Sequence, residues 1–245
     1  MFCYPFTAPA VKPLINCLWK NIIFYLMKYQ AILFGSIGTL IESSNIQRNS
    51  FNQAFKEAGL DWYWDEQDYK ILLKKSGGTK RVEDFAEKNN TNVNASQIRN
   101  RKTEIFSSFI IKNKQKLRKS VDEIIKYTKD NNIKLAFSTS TTLNNVDSVF
   151  ESLSGQIAKE DFDFIGNKSF VKNEKPHPEI YKVTLDKLNL QPEDCIAIED
   201  TEESSNSAVS AGIKCIGFPG DYHLEDNFQM CIKKMNLLDQ SIFSL

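Results

Sequence analysis

Four short segments of this 245-residue chain hold the residue types of phosphate and cation chemistry. They are Gly35-Ser36-Ile37-Gly38-Thr39, Ser138-Thr139-Ser140, Lys175-Pro176 and Glu199-Asp200-Thr201. Taken singly, each has a plain structural explanation. Gly-Thr is a common turn, a run of hydroxyls caps helices, Lys-Pro is a frequent loop pair, and Glu-Asp opens solvated helices. Taken together they supply hydroxyls, one ammonium and two carboxylates, which suits a phosphate ester and a hard divalent cation.

That combination needs elements that bring the four segments into one crevice. YQAILF, IKLAFS, DFDFIG, CIAIE and KCIGF are short apolar runs that read as buried strands. Between them LNNVDSVFESL, PEIYKVTLDKLNL and SSNSAVSAG read as helices, the last stopped by Gly212. Alternation at this spacing predicts an α/β fold, a doubly wound, Rossmann-like parallel sheet with helices on both faces. Ligands in such sheets bind beyond the carboxyl ends of the strands, where the four segments fall. From Ser43 onward the pattern is helical with no strand signal: FNQAFKEAGL stops at a glycine, EQDYKILLKKSGG at two, and TKRVEDFAEKNN and the stretch from Ala95 come next. This predicts a core of residues 27–42 and 120–245 interrupted by a helical cap at 43–119. Ser120 and Glu123 have the spacing of a capping box for the helix that returns to the core.

Composition narrows the function class. Thirty-one basic residues balance thirty-one acidic ones, so no global field favours nucleic acid or a membrane surface. The five cysteines form no CxxC and read as reduced thiols of a cytoplasmic protein, and two histidines argue against zinc chemistry. Residues 1–26 differ in composition from the remainder of the chain and precede Met27. They read as an uncertain N-terminal extension, too interrupted to span a bilayer.

The four segments resemble the motifs of the haloacid dehalogenase superfamily, in its CbbY and β-phosphoglucomutase-like branch. AILFGSIGTLIES resembles the opening strand and loop, LAFSTST the second motif, KPHPEIY the third, and CIAIEDTEESSNSAVSAGIKCIGFPG the fourth. The resemblance runs from about Lys28 to Asp221, and the helical stretch falls where the family inserts its cap. It implies a phosphate site at Thr139, Ser140 and Lys175. It also implies a Mg²⁺ site at Glu199, Asp200 and the Ile37 carbonyl, and substrate-reading positions at Glu42, Gly77, Gly78 and Arg81.

One departure is chemical. The family's first loop reads Asp-x-Asp-Gly-Thr, with a nucleophilic carboxylate followed by a general acid. This chain has Gly35 and Ile37 there, so neither group is intact and the Mg²⁺ site is weakened. A histidine that often comes just after the hinge is Gln47 here. The expectation is a protein that binds a phosphorylated sugar and is impaired or silent as a phosphatase, a monomer or weak homo-oligomer. Two alternatives stand beside it: an active Mg²⁺-dependent sugar-phosphate hydrolase using a recruited carboxylate such as Glu42, and a metabolite-responsive interaction module.

Overall fold

A computed structural model describes residues 28–74 and 77–245, so the expectation for residues 1–26 lies outside the described residues. Strand β1 (Ala31–Phe34) is buried along its whole length, and its side chains alternate between two cores. Ile32 and Phe34 face one cluster, and Ala31 and Leu33 face the other. Both faces are therefore covered, as a parallel sheet requires. The strands β2 (Lys134–Phe137), β3 (Phe164–Ile165), β4 (Cys195–Glu199), β5 (Lys214–Gly217) and β6 (Lys233–Lys234) complete a sheet ordered β3-β2-β1-β4-β5-β6, with every pairing parallel. β1 is central, and Phe34 stands in register with Phe137 on one side and Ile198 on the other. The carboxyl ends of β1, β2 and β4 thus lie side by side where the chain order reverses.

Between β1 and β2 run α1 (Ile37–Leu40), α2 (Ser44–Glu57), α3 (Glu66–Leu73), α4 (Gly78–Lys88), α5 (Ala95–Lys112) and α6 (Val121–Asp130). The helices α2 to α5 share their own core, in which the Trp64 ring packs on Phe51 and Phe55 at centroid distances of 4.9 and 4.6 Å. Tyr222 from the sheet domain joins that cluster. The helix α6 returns to the sheet, burying Val121, Ile124, Ile125 and Thr128 at helical spacing. α7 (Leu143–Ser152) packs on the same face, while α8 (Glu179–Leu188) and α9 (Glu202–Ser210) cover the opposite one.

Two local expectations are corrected. Ser120 does not cap α6: its φ is 73°, and its hydroxyl binds the Lys119 carbonyl and accepts the Leu238 N–H at 2.9 Å. The glycine pair does not close α3, because Gly77 precedes and Gly78 begins α4. The two-residue β6, Lys-Lys and exposed, carries no apolar signal and was legible only through its pairing with β5. Among the described residues no helix is long and apolar enough to cross a membrane.

Candidate functional site

The loop after β1 is fixed by backbone contacts before any ligand is considered. Gly35 N–H bonds the Ile198 carbonyl at 2.9 Å, and Thr39 Oγ1 donates to the Ser36 carbonyl at 2.7 Å. The Ser36 hydroxyl donates to the Asp200 carboxylate across the β1/β4 boundary. Asp200 lies so close to Gly38 that any Cβ there would collide with its oxygen, which accounts for the glycine. Arg118, between cap and core, donates to the carbonyls of Gly38, Phe218 and Pro219 at 2.9, 2.9 and 2.6 Å. Its guanidinium carbon also stacks 3.5 Å from the Phe218 ring centroid. One side chain therefore ties the first loop to the loop after β5.

Glu199 is the second fixed point. It ends β4, is fully buried, and points its carboxylate into the volume that a side chain at position 35 would fill. A Cβ on Gly35 would overlap the Glu199 carboxyl carbon and both oxygens. Glu199 Oε1 accepts from Lys175 Nζ and from Tyr181 Oη, the latter at 2.6 Å. Lys175 also donates to the Gly35 carbonyl at 3.0 Å. Glu199 Oε2 is buried without a hydrogen-bond partner. Burial is the dominant influence on this carboxyl and raises its pKa, against the opposing pull of Lys175.

Beside these groups a crevice of about 340 Å³ opens between sheet domain and cap. Thr139, Ser140 and Lys175 line it from the core together with Ser36, Ile37, Gly38 and Asp200. Gly78, Arg81, Arg99 and Lys102 line it from the cap. Gly77, with φ of 86°, supplies the turn into α4, so that Gly78 passes against Phe51 and the Arg99 stem. Arg81 Nε donates to the Leu72 carbonyl at 2.9 Å, and its guanidinium stands 5.7 Å over the Tyr69 ring. Lys102 sits between the Phe51 and Phe106 rings and donates to the Gln47 amide oxygen. Desolvation, followed by the charges of Arg99 and Arg81, pulls its pKa down to about 7. Three of the expected set, Glu42, Gly77 and Glu199, do not line the crevice themselves, and the oxygens of Glu42 accept the N–H groups of Ser44 and Asp221 at 2.8 and 2.9 Å. A larger hollow of about 860 Å³ opens on the cap. There Arg101 pairs with Glu57 and Glu104.

Comparison with known proteins fits this geometry. Residues 32–218 match the haloacid dehalogenase-like hydrolase family. The chain belongs to that family, in its CbbY branch. It is 34% identical over 202 residues to the protein CbbY of Cereibacter sphaeroides, covering 81% of this chain and 88% of that protein. It is 26% identical over 189 residues to a phosphorylated carbohydrates phosphatase of Thermotoga maritima, covering 76% of this chain and 83% of that one. The structure of CbbY from Rhodobacter sphaeroides in complex with phosphate superposes with a TM-score of 0.78 at 32% identity, over 87% of this chain and 96% of that one. A structure of a point mutant of that CbbY in complex with xylulose-(1,5)bisphosphate gives 0.76 at 32%, over 85% of this chain and 94% of that one.

The branch motifs account for Thr139, Ser140, Lys175, Glu199 and Asp200, all brought to one end of the sheet. Sequence reasoning did not find Tyr181, Arg99, Lys102 or Arg118. Tyr181 lay within the KPHPEIY segment without being singled out. Arg118 carried a signal of a different kind, being one of few arginines in a lysine-rich chain. Arginine is retained where a planar fork must reach several acceptors.

Proposed function

We propose that this protein binds a phosphorylated sugar in the crevice and turns it over poorly or not at all. The observation that carries this reading is the seat taken by Glu199. Where a nucleophile at position 35 would need room, a buried carboxylate already fills it, neutralised by Lys175 and held by Tyr181. A phosphoryl group entering the core end would meet the hydroxyls of Thr139 and Ser140 and the Lys175 ammonium, which supply hydrogen bonds and charge. Position 35 has no carboxylate to form an acyl phosphate, the Asp200 carboxylate on the crevice wall already accepts the Ser36 hydroxyl, and Ile37 has no proton to give to a leaving alkoxide. Glu42 does not line the crevice, and its two oxygens are engaged by the Ser44 and Asp221 N–H groups.

For Mg²⁺ the residues make a weak fit. The orphaned Glu199 Oε2, Asp200 and the Ile37 carbonyl would hold the ion, and it would neutralise phosphate charge there. The carbonyl already accepts the Ile41 N–H, the ammonium of Lys175 competes for Glu199, and Gly35 offers no charge. On the cap side Arg81, Arg99 and Lys102 favour a ligand with a second anionic group, such as a sugar bisphosphate. The CbbY structure with xylulose-(1,5)bisphosphate supports that choice.

Thermal unfolding with xylulose bisphosphate, alongside phosphate release with and without Mg²⁺, tests the reading. The expected result is a rise of several degrees in Tm at saturating ligand, with phosphate release at background. Robust Mg²⁺-dependent release by the unmodified protein would overturn it.

A further inference from the structure

Cys215 and Cys231 stand against one another at the edge of the sheet, and the phosphate site makes no use of either. Cys215 lies in β5, fully buried among Ala31, Leu33 and Ala197. Cys231 lies two residues before β6, is partly exposed, and packs on the same cluster. The register is held by Ile232 N–H bonding the Cys215 carbonyl at 2.9 Å and by Cys231 N–H bonding the Phe228 carbonyl at 2.9 Å. The Cys215 thiol donates to the Ile216 carbonyl at 3.6 Å, and each of the two thiols shifts the pKa of the other.

What the pair encloses gives it a consequence. Residues 218–230 run from the end of β5 towards Cys231, and this segment reaches the cap and hinge. Phe218 and Pro219 receive Arg118, Asp221 N–H binds Glu42, and Tyr222 Oη bonds Asn45 and Arg48 of α2. His223 lines the crevice.

We propose that Cys231 and Cys215 are a peroxide-sensitive thiol pair whose disulfide clasps the base of the loop on which the cap docks. The two sulfurs have unequal roles. Cys231 is partly exposed and within reach of peroxide, and its pKa is lowered chiefly by the neighbouring Cys215 thiol, whereas Cys215 is buried and burial pushes its pKa well up, so Cys231 is the nucleophile. Its thiolate attacks hydrogen peroxide: an S–O bond forms, the O–O bond breaks, and the departing hydroxide takes a proton to become water. The Cys215 sulfur then attacks the Cys231 sulfenic acid, the S–S bond forms, and the S–O bond breaks. The hydroxyl leaves as water with the Cys215 proton. In total two thiols lose two electrons to one peroxide, giving one disulfide and two waters, and a dithiol reverses it. Cys195 lacks this arrangement, its thiol pushed up to about 12 by burial.

Both cysteines fall in one tryptic peptide, Cys215 to Lys233. The reduced full-length chain is treated with hydrogen peroxide, alkylated with iodoacetamide and digested without reductant. The expected peptide is lighter by two hydrogens and takes up no label, and dithiothreitol treatment after the peroxide restores both alkylation sites. Cys215→Ser should instead leave a Cys231 sulfenic acid that dimedone captures, and Cys231→Ser should lose both products. Full alkylation of the wild-type peptide after peroxide, dimedone on Cys215, or a disulfide from either residue to another cysteine would each overturn the proposal. The wild-type peptide decides even if a serine variant fails to fold. Because it needs no sugar phosphate, this result is independent of the ligand proposed above.

Discussion

Position 35 illustrates how the absence of a side chain can determine the conformation of another. With no Cβ at Gly35, Glu199 extends into the empty volume and meets Lys175 and Tyr181 there. Restoring even a methyl group should force that carboxylate away. Gly35→Ala is expected to cost about 1–3 kcal/mol, as overpacking of a closed interior usually does. Combined with Glu199→Ala it should cost clearly less than the sum of the single changes, with coupling of about 1 kcal/mol or more. Urea denaturation of the wild type, the two single variants and the double variant measures this, and additive losses would show that the two positions do not share a volume. Gly35→Asp carries a further penalty, since two carboxylates about 4 Å apart repel by roughly 4 kcal/mol at an effective dielectric near 20. The sequence disclosed that a carboxylate was missing. It did not disclose where Glu199 would turn, because a rotamer depends on the space left by a neighbouring strand. Asp200 reaches Ser36 in the same way, across a separation of 164 positions in the chain.

Legibility was uneven among the elements for a physical reason. Strands β1, β2, β4 and β5 are buried on both faces and announce themselves as apolar runs, and the helices that cover them show apolar residues at turn spacing. What failed were readings that depended on one polar residue. Ser120 has the right spacing for a cap, yet Leu238 from the far end of the chain claims its hydroxyl. The site loop was legible as chemistry but not as architecture, since its anchor, Arg118, lies outside every motif. Arg118→Lys keeps the charge but gives up the fork that reaches three carbonyls on two loops. The expected loss is about 2 kcal/mol, with hydrogen exchange accelerated in α1 and at residues 218–220 and unchanged in α7. Exchange that quickens uniformly would mean that Arg118 supports the fold at large and not this junction.

Across the whole molecule, the crevice has two cationic ends on different bodies of the fold, Lys175 on the core and Lys102, Arg81 and Arg99 on the cap. Burial of Lys102, followed by the charges of Arg99 and Arg81, comes at a cost, visible in its pKa, which falls from 10.5 to about 7. Between those two values the unfolded chain holds this proton more tightly than the folded one, so the contribution of Lys102 to stability rises with pH across that window. An anionic group seated at the cap end reverses the imbalance by favouring the ammonium. Binding of a sugar bisphosphate at pH 8 is therefore expected to draw a proton from solution, about half to one per site. Titration calorimetry in buffers of different ionisation enthalpy reads this directly as a slope in the apparent heat. A monophosphate held by Thr139 and Lys175 alone should give almost no slope, and Lys102→Met should abolish the slope for the bisphosphate while leaving binding at the core end. Equal heats in every buffer for the wild-type protein would place the second anionic group away from Lys102, and with it the division of the crevice into a core end and a cap end would fail.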